Sequence, residues 1–143
     1  MEILRQQFLR HIGQTSPSPM LVEVARAEGV CFFTPEGKRY YDIIAGVSVS
    51  NVGHGNPAVT EAVCRQARDY MHVMVYGELV ERPQVRYAAR IAEYLPAPLD
   101  AVYFVNSGAE AVEGALKLAK RFTGRRRMVA CRNAYHGSTH GAM

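Results

Sequence analysis

The sequence lacks the features that mark membrane, secreted and disulfide-bonded proteins. No stretch approaches the roughly 18 apolar residues that span a bilayer. The first residues lack the basic segment and apolar run of a secretory signal. The cysteines are odd in number and far apart, which favours reduced thiols over a disulfide framework or a zinc site. We therefore expect a cytoplasmic protein without a membrane partner, whose three thiols are Cys31, Cys64 and Cys131.

Several nucleotide and catalytic motifs are also missing. There is no strand followed by G-x-G-x-x-G, no G-x-x-x-x-G-K-[ST] and no G-x-S-x-G elbow. The net charge is +4, but the basic residues are scattered, and the one dense run, Arg125 to Arg127, follows Gly124 as in a solvated turn. Interleaved basic and aromatic runs are absent, so we expect no nucleic-acid partner.

What is present fits a soluble globular protein, with 48% hydrophobic and 21% charged residues. The first part predicts a short helix and then a small antiparallel meander, because its apolar segments are separated by turn signals. The helix is expected at residues 3–12, and the strands at 21–27, 30–34 and 39–44.

After Pro57 the apolar period changes from two to 3.6, which predicts helices. Asn56 and Pro57 are typical of a helix start. A second helix is expected from about Pro83 to Leu95. The apolar runs 101–105 and 128–131, on either side of a helix over residues 108–122, predict a βαβ unit.

The turn between the run 101–105 and its helix is the most informative segment. It contains Asn106, Ser107, Gly108 and Ala109, so small residues precede a helix start whose free N–H groups and positive dipole end favour phosphate. Ser107 and Glu110 also match a capping box, in which these two side chains satisfy the helix end by themselves. From the spacing alone both interpretations stay open.

A second segment, from Asn133 to Thr139, follows the run 128–131. Neighbouring parallel strands would bring Ser107 and Tyr135 to the same end of a sheet, where an aromatic ring beside a phosphate site suits a flat, phosphorylated cofactor. A plain surface turn is the alternative. His136 and His140 have the spacing of metal ligands on a helix, but Gly137 lies between them and no acidic ligand is near, so we expect no metal site.

Four segments in order resemble the class III aminotransferases, which are pyridoxal-phosphate (PLP) enzymes of fold type I. These segments are Gly37 to Asp42 ("G-K-x-Y-x-D"), Gly53 to Pro57 ("G-H-x-(H/N)-P"), Asn106 to Ala119 ("N-S-G-x-E-A…K-L-A") and Tyr135 to Gly137 ("(F/Y)-H-G"). The resemblance extends over essentially the whole chain. It implies that residues 1–50 belong to the small domain and 51–143 to the beginning of the large α/β PLP-binding domain.

The resemblance also implies roles for individual residues. The PLP phosphate would be held around Ser107, Gly108 and Ala109. The ring of Tyr135 would stack on the pyridine, while His136 and Gly137 would shape the same wall. The substrate side would be lined by Gly46 and Val47. Members of the family are dimers with active sites at the subunit interface, so a homodimer is implied for the full-length protein.

The lysine that forms the Schiff base with PLP has no match among the three lysines Lys38, Lys117 and Lys120. We therefore expect a fragment that is inactive alone. The full-length protein is expected to move an amino group from an amino acid or ω-amine donor to a 2-oxo acid. Alternatives are a related PLP mutase, racemase or decarboxylase, or a non-catalytic binding module.

Overall fold

The chain forms two compact units, Met1–Met71 and His72–Met143, in a computed structural model. The structure describes residues 2–74 and 76–143. None of the helices in these ranges is long and apolar enough to cross a membrane.

The first unit contains helix α1 (Glu2–His11) and a three-stranded antiparallel sheet. The strands are β1 (Arg26–Glu28), β2 (Cys31–Phe33) and β3 (Arg39–Tyr41), in the order β1-β2-β3. The predicted helix and meander are therefore confirmed, although each strand is shorter than predicted and β1 covers only the end of the range 21–27 and extends into Glu28. Phe32 pairs with Tyr40 across β2 and β3, and their rings stack with centroids 5.2 Å apart, a cross-strand contact that stabilises the sheet.

The first unit continues with a four-residue turn, α2 (Ala45–Ser48), and helix α3 (Pro57–Asp69). The predicted start of α3 is confirmed, because the side chain of Asn56 accepts hydrogen bonds from Ala58 N (3.1 Å) and Val59 N (3.4 Å). Such a cap contributes about 1 kcal/mol. The α2 turn was not predicted, and Gly46 and Val47 both have positive φ there (61° and 60°).

The second unit contains α4 (Arg82–Ala92) and α5 (Gly108–Thr123). The predicted helix α5 is confirmed, with Ser107 as its N-cap and Gly124 in the left-handed conformation (φ 69°) that ends many helices. The helix predicted to reach Leu95 ends at Ala92 instead.

The strands predicted at 101–105 and 128–131 are wrong for this chain. Neither run belongs to a strand, and the three-stranded sheet of the first unit is the sheet found among the described residues. The physical reason is that apolar composition predicts burial, whereas a strand also needs a neighbour that supplies hydrogen bonds. No described segment of the second unit pairs with either run.

Little of the described apolar surface is buried. Cys31 (8% exposed) and Ala142 (3%) are the buried apolar residues of the described ranges. Large side chains such as Val129 (99% exposed) and Phe122 (88%) remain open to solvent. The helices are therefore held mainly by local caps and turns. On α5, Val112 and Leu116 are half-buried, whereas Leu118 and Phe122 remain exposed among the described residues.

Candidate functional site

The start of α5 forms the cap that was one of the two interpretations left open by the sequence. Ser107 Oγ accepts a hydrogen bond from Glu110 N (3.2 Å), and Glu110 Oε2 accepts one from Asn106 N (2.7 Å). These two bonds form the predicted capping box, except that Glu110 accepts from the N–H of Asn106 and not from that of the N-cap residue Ser107. Because Ser107 Oγ acts as an acceptor in this cap, its hydroxyl proton remains available to a ligand.

Two backbone donors at this helix start remain unused. Ala111 N donates to Ser107 O and Glu110 N to the Ser107 side chain, whereas Gly108 N and Ala109 N donate to no group in the described residues. They are the first two amides of a helix of 16 residues, where the dipole favours an anion. Ser107 and Gly108 are exposed and Ala109 is half-buried, so an anion can reach them. Two amides and one hydroxyl can hold a phosphate group.

The segment that contains Gly137 packs on this same helix start. Gly137 is buried, and a Cβ built on it would lie 2.7 Å from Ala109 Cβ and 2.9 Å from Ala109 Cα. Only a residue without a side chain fits so close an approach, and the φ of +137° is a second reason for glycine. The structure therefore brings together two of the predicted site residues that are 28 positions apart in the sequence.

Tyr135 lies two residues before this contact. Its side chain is 81% exposed, and its hydroxyl forms a hydrogen bond with Ser138 Oγ (3.1 Å). That bond holds the polar edge of the ring within its own turn, while the faces of the ring remain available for stacking. The adjacent His136 is also exposed.

A carboxylate that the sequence analysis missed fixes the far end of the same loop. Glu113 Oε1 accepts a hydrogen bond from Gly141 N (2.7 Å). The Gly141 N–H lowers the pKa of Glu113, so this side chain is charged at neutral pH. A glutamate on a helix looks like an ordinary solvated residue in the sequence. Its one signal is its position four residues after Ala109, on the same helix face.

The remaining predicted residues, Gly46 and Val47, belong to the first unit. They lie in the α2 turn, and the side chain of Val47 is 83% exposed. The turn begins at Ala45, whose N–H donates to Asp42 Oδ1 (2.9 Å).

The other oxygen of Asp42 contacts a histidine that the sequence analysis did not assign to the site. Asp42 Oδ2 lies 2.7 Å from His54 Nε2, and the two side chains are 15% and 24% exposed, respectively. This contact, and then the Ala45 N–H, lowers the pKa of Asp42. The backbone of His54 also pairs with Gly29 in both directions (2.9 and 2.7 Å). Asp42 therefore links the sheet, the α2 turn and the turn before α3.

Comparison with known proteins places this geometry in one family. The sequence model of the class-III aminotransferases matches residues 12–143. An acetylornithine aminotransferase of Methanopyrus kandleri is 40% identical over 135 residues, which cover 93% of this chain and 33% of that protein. The chain thus spans about a third of the length of the curated relatives it matches.

Solved structures agree with the sequence match. An (S)-enantioselective ω-transaminase from Thermomicrobium roseum superposes with a TM-score of 0.87 at 32% identity, covering 99% of this chain and 34% of that one. A taurine:2-oxoglutarate aminotransferase from Bifidobacterium kashiwanohense, solved with PLP and glutamate, gives a TM-score of 0.84 at 32% identity, with 99% and 32% covered. The two units therefore have the fold of the corresponding third of these transaminases, which confirms the predicted fold class.

Proposed function

Because the chain belongs to the class-III aminotransferases, we propose that its full-length protein binds pyridoxal 5′-phosphate and transfers an amino group from an amino acid or ω-amine donor to a 2-oxo acid. The observation that carries this proposal is the packing of Gly137 on Ala109. It joins a helix start with unused donors to a segment with an exposed aromatic ring, as a flat, phosphorylated cofactor requires.

In this proposal the residues of the chain bind and orient the cofactor. The amides of Gly108 and Ala109 and the hydroxyl of Ser107 hold the phosphate, and the ring of Tyr135 stacks on the pyridine. His136 and Gly137 shape the wall beside it. When bound, PLP supplies the electron sink that stabilises a carbanion at the substrate carbon. Gly46 and Val47 are proposed to line the substrate side.

None of the three lysines suits the nucleophilic role that this chemistry needs. Lys38 lies over the ring of Tyr40 (4.7 Å from Nζ to the centroid), and its bond to that tyrosine raises its pKa, whereas a nucleophilic lysine needs a lowered one. Lys117 lies nine residues after Gly108, about 14 Å further along the helix at 1.5 Å per residue. Lys120 is further still. We therefore expect the 143-residue chain by itself to have no transaminase activity.

The predicted division at residue 50, between a small and a large domain, remains part of the proposal. So do a homodimer for the full-length protein and a cytoplasmic location, which the three free thiols support.

The proposal is tested on the full-length protein by titration with PLP, followed by a panel of amino donors with a 2-oxo acid acceptor. We expect a saturable change in the absorbance spectrum of PLP and formation of an amino acid from the 2-oxo acid. Binding of PLP with loss of CO2 or inversion of the donor, and no amino transfer, would favour the decarboxylase or racemase alternative. Absence of PLP binding would refute the proposal.

A further inference from the structure

Helix α5 contacts the segment 137–142 at two points one helical turn apart. At the first, Gly137 lies against Ala109. At the second, Glu113 accepts the N–H of Gly141 at 2.7 Å. Both intervals are four residues, and residues four apart on a helix lie on one face. The segment therefore follows the helix face, with a close apolar contact at one end and a charged hydrogen bond at the other.

The contact between Glu113 and Gly141 is supported by the burial and the backbone hydrogen bonds around it. The Glu113 side chain is half-buried, and the neighbouring Ala142 is 3% exposed. Ala142 N and Met143 N both donate to Thr139 O (3.1 and 3.0 Å), which folds the segment into a tight turn. The positive charge of Lys120 also acts on the Glu113 carboxylate. Hydrogen bonds to an ionised acceptor are roughly twice as strong as neutral ones.

We propose that Glu113 is a positioning residue for the cofactor: it fixes the segment 137–142 on α5 and thereby holds Tyr135 beside the phosphate-binding start of that helix. This inference rests on the function proposed above. Glu113 does not itself bind the phosphate, because it lies five residues, or about 7.5 Å along the helix, beyond Gly108, and its negative charge would repel an anion. It acts through the backbone of Gly141.

A purely structural role for Glu113 would change stability and leave the geometry of bound PLP as it is. A positioning role changes how the cofactor is bound. The two roles therefore predict different values for the PLP dissociation constant and for the circular dichroism that bound PLP acquires from its surroundings. Neither measurement depends on turnover.

The test uses the full-length protein and three variants. Glu113→Ala removes the acceptor, and Glu113→Gln keeps an amide oxygen at the same place without the charge. Glu61→Gln is the control, since Glu61 is exposed and pairs with Arg65 on α3 (2.7 Å). PLP affinity, the circular dichroism of the bound cofactor, and hydrogen exchange of the 137–143 amides without PLP are measured for each.

For Glu113→Ala we expect PLP affinity to fall about tenfold, the effect of losing roughly one charge-assisted hydrogen bond. The circular dichroism of the cofactor should weaken and the 137–143 amides should exchange faster. Glu113→Gln should recover only part of the affinity, and Glu61→Gln should match the wild type. The Gln variant keeps the test decisive if Glu113→Ala fails to fold, because a several-fold loss of affinity is still expected without the charge.

Unchanged affinity and circular dichroism in both Glu113 variants, with wild-type protein that does bind PLP, would overturn the positioning role and leave the proposed function intact. Faster exchange with unchanged affinity would overturn it as well, since the loop would then be held without effect on the cofactor. Wild-type protein that binds no PLP would refute the proposed function itself.

Discussion

Replacing Gly137 by alanine tests the contact on which the site depends. The new Cβ would lie 2.7 Å from Ala109 Cβ, 2.9 Å from Ala109 Cα and 3.1 Å from Ala142 Cβ. Carbon atoms pack at about 3.5–4.0 Å, so the segment must move away from α5 by roughly 1 Å. An overpacked contact costs about 1–3 kcal/mol. The φ of +137° adds a cost of similar size, because alanine rarely adopts it.

The movement carries Tyr135 away from the start of α5, so PLP binding should weaken together with stability. We expect the dissociation constant of PLP to rise about tenfold, equal to about 1.4 kcal/mol. The assay is a PLP titration and a thermal melt of the full-length protein. Gly13→Ala is the matched control, since a Cβ there meets nothing within 4 Å. A double variant with Ala109→Gly should recover part of the affinity, because the nearest clash is then removed.

If Gly137→Ala bound PLP as tightly as the wild type and melted at the same temperature, the close packing of Gly137 on Ala109 would be refuted. A loss of stability with unchanged PLP affinity would separate the contact from the cofactor site and contradict the proposed role of Gly137.

Three further predictions follow from the described contacts. The pKa of Asp42 is lowered by His54. The stabilisation that depends on this charge is fully present above the unfolded pKa of about 3.9 and is lost as the pH falls through the lower folded pKa. The stability difference between wild type and Asp42→Ala should therefore shrink in acid, and a constant difference would contradict this. Ser107→Ala should lower the free energy of unfolding by about 1 kcal/mol, because the cap is lost, and should also weaken PLP binding. Asn56→Ala, which removes the cap of α3, should lower the free energy of unfolding by a similar amount and leave PLP affinity unchanged. The 143-residue chain exposes 12995 Å², against about 8,900 Å² for two separate globular domains of half its mass. We therefore expect the isolated chain to self-associate in sedimentation and to unfold without a single cooperative transition. A monodisperse, cooperatively unfolding monomer would contradict this.

Local signals in the sequence predicted the helices well. Asn56 with Pro57, and Ser107 with Glu110, act within one turn of chain, so their effect does not depend on distant contacts. The same holds for the turns of the meander, where each strand pairs with its neighbour in sequence. These are the elements that the structure confirms.

Contacts that depend on distant residues were not predictable in the same way. The runs 101–105 and 128–131 are apolar, but pairing depends on a neighbouring strand that no local pattern specifies. The bond between Glu113 and Gly141 joins residues 28 apart, and an exposed-looking glutamate gives no sign of it. Val47 has a φ of 60°, which a β-branched residue rarely adopts and which its sequence context does not indicate.

The site was predictable only in part for the same reason. The helix start at Ser107 is a local motif, and its unused amides follow from helix geometry alone. That Gly137 would lie against Ala109 depends on packing. The sequence analysis joined the two segments through parallel strands that do not form in this chain and through the resemblance to a family.

The most direct test of the central claim is a crystal structure of the full-length protein with PLP. We predict phosphate oxygens at about 2.7–3.2 Å from the amide nitrogens of Gly108 and Ala109, a hydrogen bond from Ser107 Oγ, and the ring of Tyr135 stacked on the pyridine. A phosphate bound away from the start of α5, or a Tyr135 ring turned away from the cofactor, would contradict it.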